Sequence, residues 1–450
     1  MSHAFDHIAD FIEHPVVPTR AREMAALLLI DTLGVAAAAR DLAPARMARN
    51  HSVAFHAASA PKNAAHLLFD GRTASIPGAA FAAATQIDNL DGHDGYNPTK
   101  GHIGCAVVPA LLAFGEGLPE LEATAALDTL VMSYEIAARA AIALHGTVSD
   151  YHTSGAWNGI AVAAIGCRLR NAPRTALREA LGIAEYHGPR SQMMREIDSP
   201  TMLHDGSGMG ALTGAMAALL ALDGFEGAPA ITLEATDVAE VWSDLGSRWT
   251  ILENYIKPYP VCRWAHAPLD GLSHLMKHNR VSSKDIERIS VRTFAESAAL
   301  FPGVPDTTSK AQYSLVFAMA AMMAYGQVGP AQISGEGLTD NRVIALMPRI
   351  EVVEAEVYSK QFPAQRCADV SVHLKDGRVL LSGEVDARGG PEDPMSLTEV
   401  EGKLRLFADP AIGEHAAKQL WAFRAALLED KRAFRQLSDF VTQPFSQTAT

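Results

Sequence analysis

Residues 88–102 read Asp-Asn-Leu-Asp-Gly-His-Asp-Gly-Tyr-Asn-Pro-Thr-Lys-Gly-His, which crowds Asp88, Asp91, Asp94, His93, His102, Tyr96 and Lys100 into one short segment. Carboxylates beside imidazoles and an ammonium are the parts of general acid–base chemistry on an anion, because an imidazole titrates near working pH. The same composition also suits a solvated, Gly-rich connection. As metal ligands the three aspartates are poorly spaced: counted from Asp88, Leu90 and Gly92 fall where a calcium loop needs oxygen donors. Within this loop no His-x-x-x-His or Cys-x-x-Cys pattern points to a transition metal.

Three further segments carry chemistry. In Ser149-Asp-Tyr-His-Thr-Ser-Gly155, Thr153 and Ser154 read as caps of the Ala-rich helix that follows, which leaves His152 unexplained. The stretch 199–214 contains His204, Asp205 and a run of glycines, but Ala211 stands where a dinucleotide fingerprint needs its third glycine. Its small residues suit either an anion held at a helix N-terminus or close helix packing. In Lys257-Pro-Tyr-Pro-Val-Cys-Arg263-Trp-Ala-His266, two prolines stiffen the backbone that presents Lys257, Tyr259 and Arg263.

Helices must position these groups. Apolar residues recur at helical spacing over 20–39, 78–87, 107–116, 122–144, 156–168, 175–185 and 210–222, so residues 5–250 read as essentially all helix. Beyond Pro258, β-branched runs at 286–293, 350–357, 370–374 and 379–381 predict strands, the last two joined by an Asp376-Gly377 turn. Helical patterns at 265–278 and 312–325 fall among them, and 396–440 turns helical again. The expected fold is mainly α with a smaller α+β domain: a discontinuous helical domain of residues 1–262 and 396–450, and an α+β domain of 263–395.

Composition narrows the partners. The 450 residues are 48% hydrophobic, enough for large cores, and carry 38 Lys+Arg against 51 Asp+Glu, a net charge of −13. With no basic run longer than a pair, nucleic acid is not an expected partner. The apolar stretches are shorter than a bilayer requires, so no membrane is expected either. The N-terminus lacks the basic start and apolar run of a signal peptide, and four scattered cysteines form no framework. Cytoplasmic localisation follows as the expectation.

Taken in order, several blocks resemble the MmgE/PrpD family: Asp31-Thr-Leu-Gly-Val; Asp91, Gly101-His102 and Val108-Pro109-Ala-Leu-Leu; Tyr151-His152-Thr-Ser-Gly; Asp205-Gly206; Lys257-Pro-Tyr-Pro with His266; and Ala311-Gln-Tyr-Ser-Leu. The resemblance implies a homodimer with its site between two domains, requiring neither cofactor nor metal. It also implies functional positions at Asp91, His102, His152, Lys257 and His266. Thr201 or Met202 stands where the dehydratase and decarboxylase branches carry a lysine, with His204 as an alternative basic match, and Phe317 replaces a tyrosine. The stretch from Asp91 to His102 is closer to less characterised branches, which include an epimerase.

The expected activity is a cofactor-independent lyase of the hydro-lyase type, acting on a small di- or tricarboxylic acid by proton abstraction next to a carboxylate. Lys257, Arg263 and His204 would bind carboxylates and hold developing charge, with Lys100, Tyr259 and His266 completing the substrate contacts. His102 and His152 would share the roles of base and acid, and Asp91 would orient them. Epimerisation of a dicarboxylate by the same residues, or polycarboxylate binding without turnover, are the alternatives.

Overall fold

The computed structural model describes residues 3–445. Its body is built from helices with few exposed faces: Thr19–Ala39, Ile76–Asp88, Gly104–Gly115, Ala123–Thr147, Gly155–Leu169 and Ser207–Leu222. Every residue of Gly104–Gly115 is buried. Helices this apolar all round belong inside a layered bundle rather than at its surface. The Gly155–Leu169 and Ser207–Leu222 helices cross so closely that a Cβ on Gly210 would stand 2.7 Å from the carbonyl oxygen of Gly155. The glycine run therefore serves helix packing. A carboxylate does sit at that helix N-terminus, but it is internal, because Ser207 N–H donates to Asp88 Oδ2 at 3.1 Å.

Residues beyond Pro258 contribute the α+β part. A four-stranded sheet runs in the order Ile350–Glu354, Ile286–Thr293, Cys367–Leu374, Val379–Asp386. Its first pair is parallel and the others antiparallel. The expected hairpin turns at Lys375–Gly377, with Leu374 N–H bonded to Arg378 O at 2.9 Å. The strand expected over 350–357 stops at Glu354, where a helix Glu356–Gln361 begins. The helix expected from 312 starts at Leu315, capped by Ser314 Oγ, after a separate turn Thr308–Gln312.

Two small sheets fall where no strand was expected: Ala64–His66 with Thr73–Ser75, and Gly95–Tyr96, within the part expected to be all helix, with Asn254–Tyr255 just beyond it. Runs of two or three residues carry no readable alternation, and the second pairing joins segments far apart in the chain.

The tail folds back on the body. Ser396 and Glu399 form a capping box that starts the helix Leu397–Ile412, and Lys403 on that helix reaches Asp31 of Thr19–Ala39 at 2.7 Å. The same ammonium donates to Gly92 O at 2.7 Å, tying the tail to the polar loop at 88–102. Burial pushes Asp31 up and Lys403 down in spite of their pairing, the mark of an ion pair whose desolvation cost rivals its attraction. Lys403→Met alone is therefore expected to lose about 3–5 kcal/mol in urea unfolding, and Asp31→Leu with Lys403→Met to recover most of it. A single-variant loss under about 1 kcal/mol would show that the buried pair is not what holds the tail.

Candidate active site

The 88–102 loop is not a solvated connector. Asn89, Asp91, His93, Asp94 and His102 are all buried. Tyr96 N–H donates to Gly101 O at 2.9 Å, and the Gly95–Tyr96 strand pins the loop to Asn254–Tyr255, just before Lys257. Asp91 and Lys100 both take φ +54°, a left-handed conformation that few non-glycine residues adopt without surrounding constraint.

His102 is gripped by its backbone. Ser154 Oγ accepts its N–H at 2.9 Å, and Asn158 Nδ2 donates to its carbonyl at 2.9 Å. Ser154 makes no capping bond to its own helix, so the cap expected there is replaced by this grip. The His102 Nδ1 atom lies 2.7 Å from Asp94 O. A carbonyl only accepts, so Nδ1 carries the hydrogen and the neutral ring presents the lone pair of Nε2. That nitrogen points toward Asp205 Oδ2 at 3.6 Å. Burial, reinforced by Lys257, pushes the imidazole well below the usual histidine range, which keeps the ring in its neutral form.

Lys257 is buried and forms an ion pair with Asp91 Oδ1, and its Nζ also donates to Asp91 O at 3.1 Å. Burial pulls the ammonium down, but Asp91, Tyr255 and Cys262 outweigh it and leave Lys257 raised, hence charged. Asp91 Oδ2 is buried without a partner.

These groups wall a narrow cavity of about 40 Å³ together with Lys100, Glu196, Asp205, Tyr255, Arg263, Tyr313 and Arg366. Arg263 is fixed by the carbonyls of Arg388 (2.6 Å) and Ala387 (2.7 Å) and lies 4.2 Å over the Tyr255 ring. Arg366 is held by Asn97 Oδ1 at 2.7 Å. Both guanidinia keep a buried Nε without a partner. Burial, and Asp205 beside it, hold Glu196 well above the carboxylate range, and Tyr313 OH donates to it. Burial lifts Asp205 to about 6. Four cations thus face three carboxylates, all of which burial pushes toward the neutral form, an imbalance that favours a polyanionic guest.

The structure brings Asp91, Lys100, His102, Lys257 and Arg263 into one wall and places the other expected site residues elsewhere. His152 lies outside the lining, its N–H donating to His145 Nε2 at 3.1 Å. Buried His204 sits behind the wall, 3.4 Å from Ser309 Oγ, and burial with Lys257 pushes it down to about 3. Tyr259 turns to a second cleft and donates to Asp270 Oδ1 at 2.9 Å. His266 braces the 257–263 segment, with Nε2 3.0 Å from Val261 O. Arg366, Glu196 and Tyr255 were not singled out from the sequence, and Tyr313 stood without a role in the block Ala311-Gln-Tyr-Ser-Leu. Asp205 stood in a quoted block without a role. Thr201 is exposed and Phe317 is buried in the core, neither lining the cavity.

Asp91, His93 and His102 bring ligand atoms within 4.8 Å of one another. The Lys257 ammonium already occupies Asp91, so a cation there would meet a fixed like charge.

A helical body joined to a smaller α+β part, with a cation-rich acid–base cavity built from residues of both, defines the class of protein. The chain belongs to the MmgE/PrpD family: residues 6–246 match the MmgE/PrpD N-terminal domain and residues 259–428 the MmgE/PrpD C-terminal domain. It is similar to a cis-aconitate decarboxylase of Aspergillus terreus (strain NIH 2624 / FGSC A1156), 22% identical over 393 residues, covering 77% of this chain and 76% of that protein. Cis-aconitate decarboxylase of Mus musculus is 22% identical over 370 residues, and that of Homo sapiens 24% over 364; each alignment covers 76% of this chain and 74% of the relative. Among the described residues no helix is long and apolar enough to cross a membrane.

Proposed function

We propose that this protein is a cofactor-independent lyase that abstracts a proton next to a carboxylate of a small di- or tricarboxylic acid. The observation that carries the reading is His102, its Nε2 lone pair fixed by the Nδ1 bond to Asp94 O, in a cavity walled by Lys100, Lys257, Arg263 and Arg366. The family and the decarboxylase relatives support it. Lys257 and the two arginines hold the carboxylates and stabilise the enolate-like charge that grows as the proton leaves. His102 Nε2 takes that proton. With His152 outside the lining, the acid is Glu196, a cavity carboxyl that burial pushes toward its protonated form.

The test is proton NMR in D₂O with citrate, 2-methylcitrate, cis-aconitate and iminodisuccinate in parallel. Olefinic signals appearing, shifting or being consumed are the expected result. Deuterium entering at Cα without a new compound would replace the lyase with an epimerase, and tight binding without either would leave a binding protein.

Lys100 adds a pH dependence. Burial, then neighbouring Arg366, lowers its ammonium to about 8. As pH rises through 8 the cavity loses one positive charge, so kcat/KM for an anionic substrate is expected to fall there. Lys100→Arg keeps its charge and moves the alkaline limb upward. An unmoved limb would remove Lys100 from the substrate contacts.

A further inference from the structure

Behind His102 lies a second cluster that the acid–base reading does not use. His93 is fully buried, and neither of its ring nitrogens has a hydrogen-bond partner. Such an orphaned imidazole demands an occupant, whether a water or an ion. Asp88, at the end of the helix Ile76–Asp88, and Cys105, in the first turn of Gly104–Gly115, bring ligand atoms within 4.8 Å of one another and of His93, and all three residues are buried. Asp88 Oδ1 is 3.8 Å from His93 Nε2, while Asp88 Oδ2 is anchored by the Ser207 N–H at 3.1 Å. Two donors on one tetrahedral ion, at the usual zinc bond lengths, stand about 3.3–3.8 Å apart. The Asp88–His93 spacing already lies at the upper end of that range, and the pairs with Cys105, within 4.8 Å, would close by at most about 1.5 Å on binding.

We propose that Asp88, His93 and Cys105 form a structural zinc site that clips together the two ends of the loop carrying Asp91, Lys100 and His102. The donor set decides the metal. Sulfur with imidazole nitrogen favours zinc over magnesium or calcium, which take oxygen alone. Charge decides whether burial is tolerable: a divalent ion with one thiolate and one carboxylate sums to zero, so no net charge is buried. The Cys105 thiol donates to Ser207 Oγ at 3.2 Å, and once it is a thiolate the same hydroxyl can donate back to the sulfur. Binding displaces the thiol proton, and any proton on the Asp88 carboxyl, to solvent. The sequence hid this site because its ligands, five and twelve residues apart, follow no familiar zinc spacing. The ion holds the loop in place and takes no part in the proposed reaction.

The test is elemental analysis of the full chain produced with zinc in the medium and dialysed without chelator. About one zinc per chain is expected in the wild type and in Cys167→Ser, a buried cysteine elsewhere, with loss of at least about tenfold in Cys105→Ser and His93→Gln. Production with cobalt gives a second readout that does not depend on the variants folding, because thiolate ligation produces a charge-transfer band in the near ultraviolet. A wild type with neither stoichiometric zinc nor the cobalt band overturns the proposal and leaves His93 to a buried water. Zinc retained in both ligand variants overturns it equally, by placing the metal elsewhere.

Discussion

His102→Gln is expected to lower kcat by about 10²–10⁴-fold with little change in unfolding free energy. Glutamine can still donate to Asp94 O from its amide nitrogen, and the grip of Ser154 and Asn158 acts on the backbone of residue 102, not its side chain. What disappears is the lone pair that Nε2 presents toward Asp205. Substrate contacts through Lys257, Arg263 and Arg366 remain, so KM should move by only a few-fold, and the loss falls in the chemical step. A variant within a few-fold of wild-type kcat on the true substrate would remove His102 as the base.

Lys257→Met should do more damage, in two separable ways. Loss of the buried ammonium removes a charge placed for the developing anion, worth about 10²–10³ in kcat/KM by analogy with deleted oxyanion donors. It also leaves Asp91 buried with both oxygens unpaired, since Oδ2 has no partner even in the intact pair. Stranding one half of a buried pair typically costs about 3–5 kcal/mol. Asp91→Asn combined with Lys257→Met should restore most of the stability and none of the activity. If the double variant recovers activity along with stability, Lys257 serves the fold alone.

How much of this was legible beforehand depended on the range of the physics. The helical body, the β-branched strands and the Asp-Gly hairpin were readable because periodicity and turn chemistry are local, set by neighbours a few residues away. The dense polar loop was readable as well, since so many charged groups in one stretch need a reason. Its burial was not, because that comes from partners such as Tyr255, Ser154 and Lys403, far along the chain.

The site divides along the same line. Asp91, Lys100, His102, Lys257 and Arg263 could be singled out from residue type, rigid flanking prolines and likeness to a family, and the structure gathers them around one cavity. The same reasoning could not tell that the backbone of His152 would bond His145 outside the cavity, that Tyr259 would turn to Asp270, or that His266 would brace a loop. Nor did any local signal mark Arg366, which immediately precedes the distant strand Cys367–Leu374 and reaches the cavity only through the sheet's placement against the body. By itself the sequence determined which elements form and which chemical groups are available. Tertiary structure alone decided which of those groups share one buried volume, because burial and charge pairing are set by distances in space that a linear pattern does not encode.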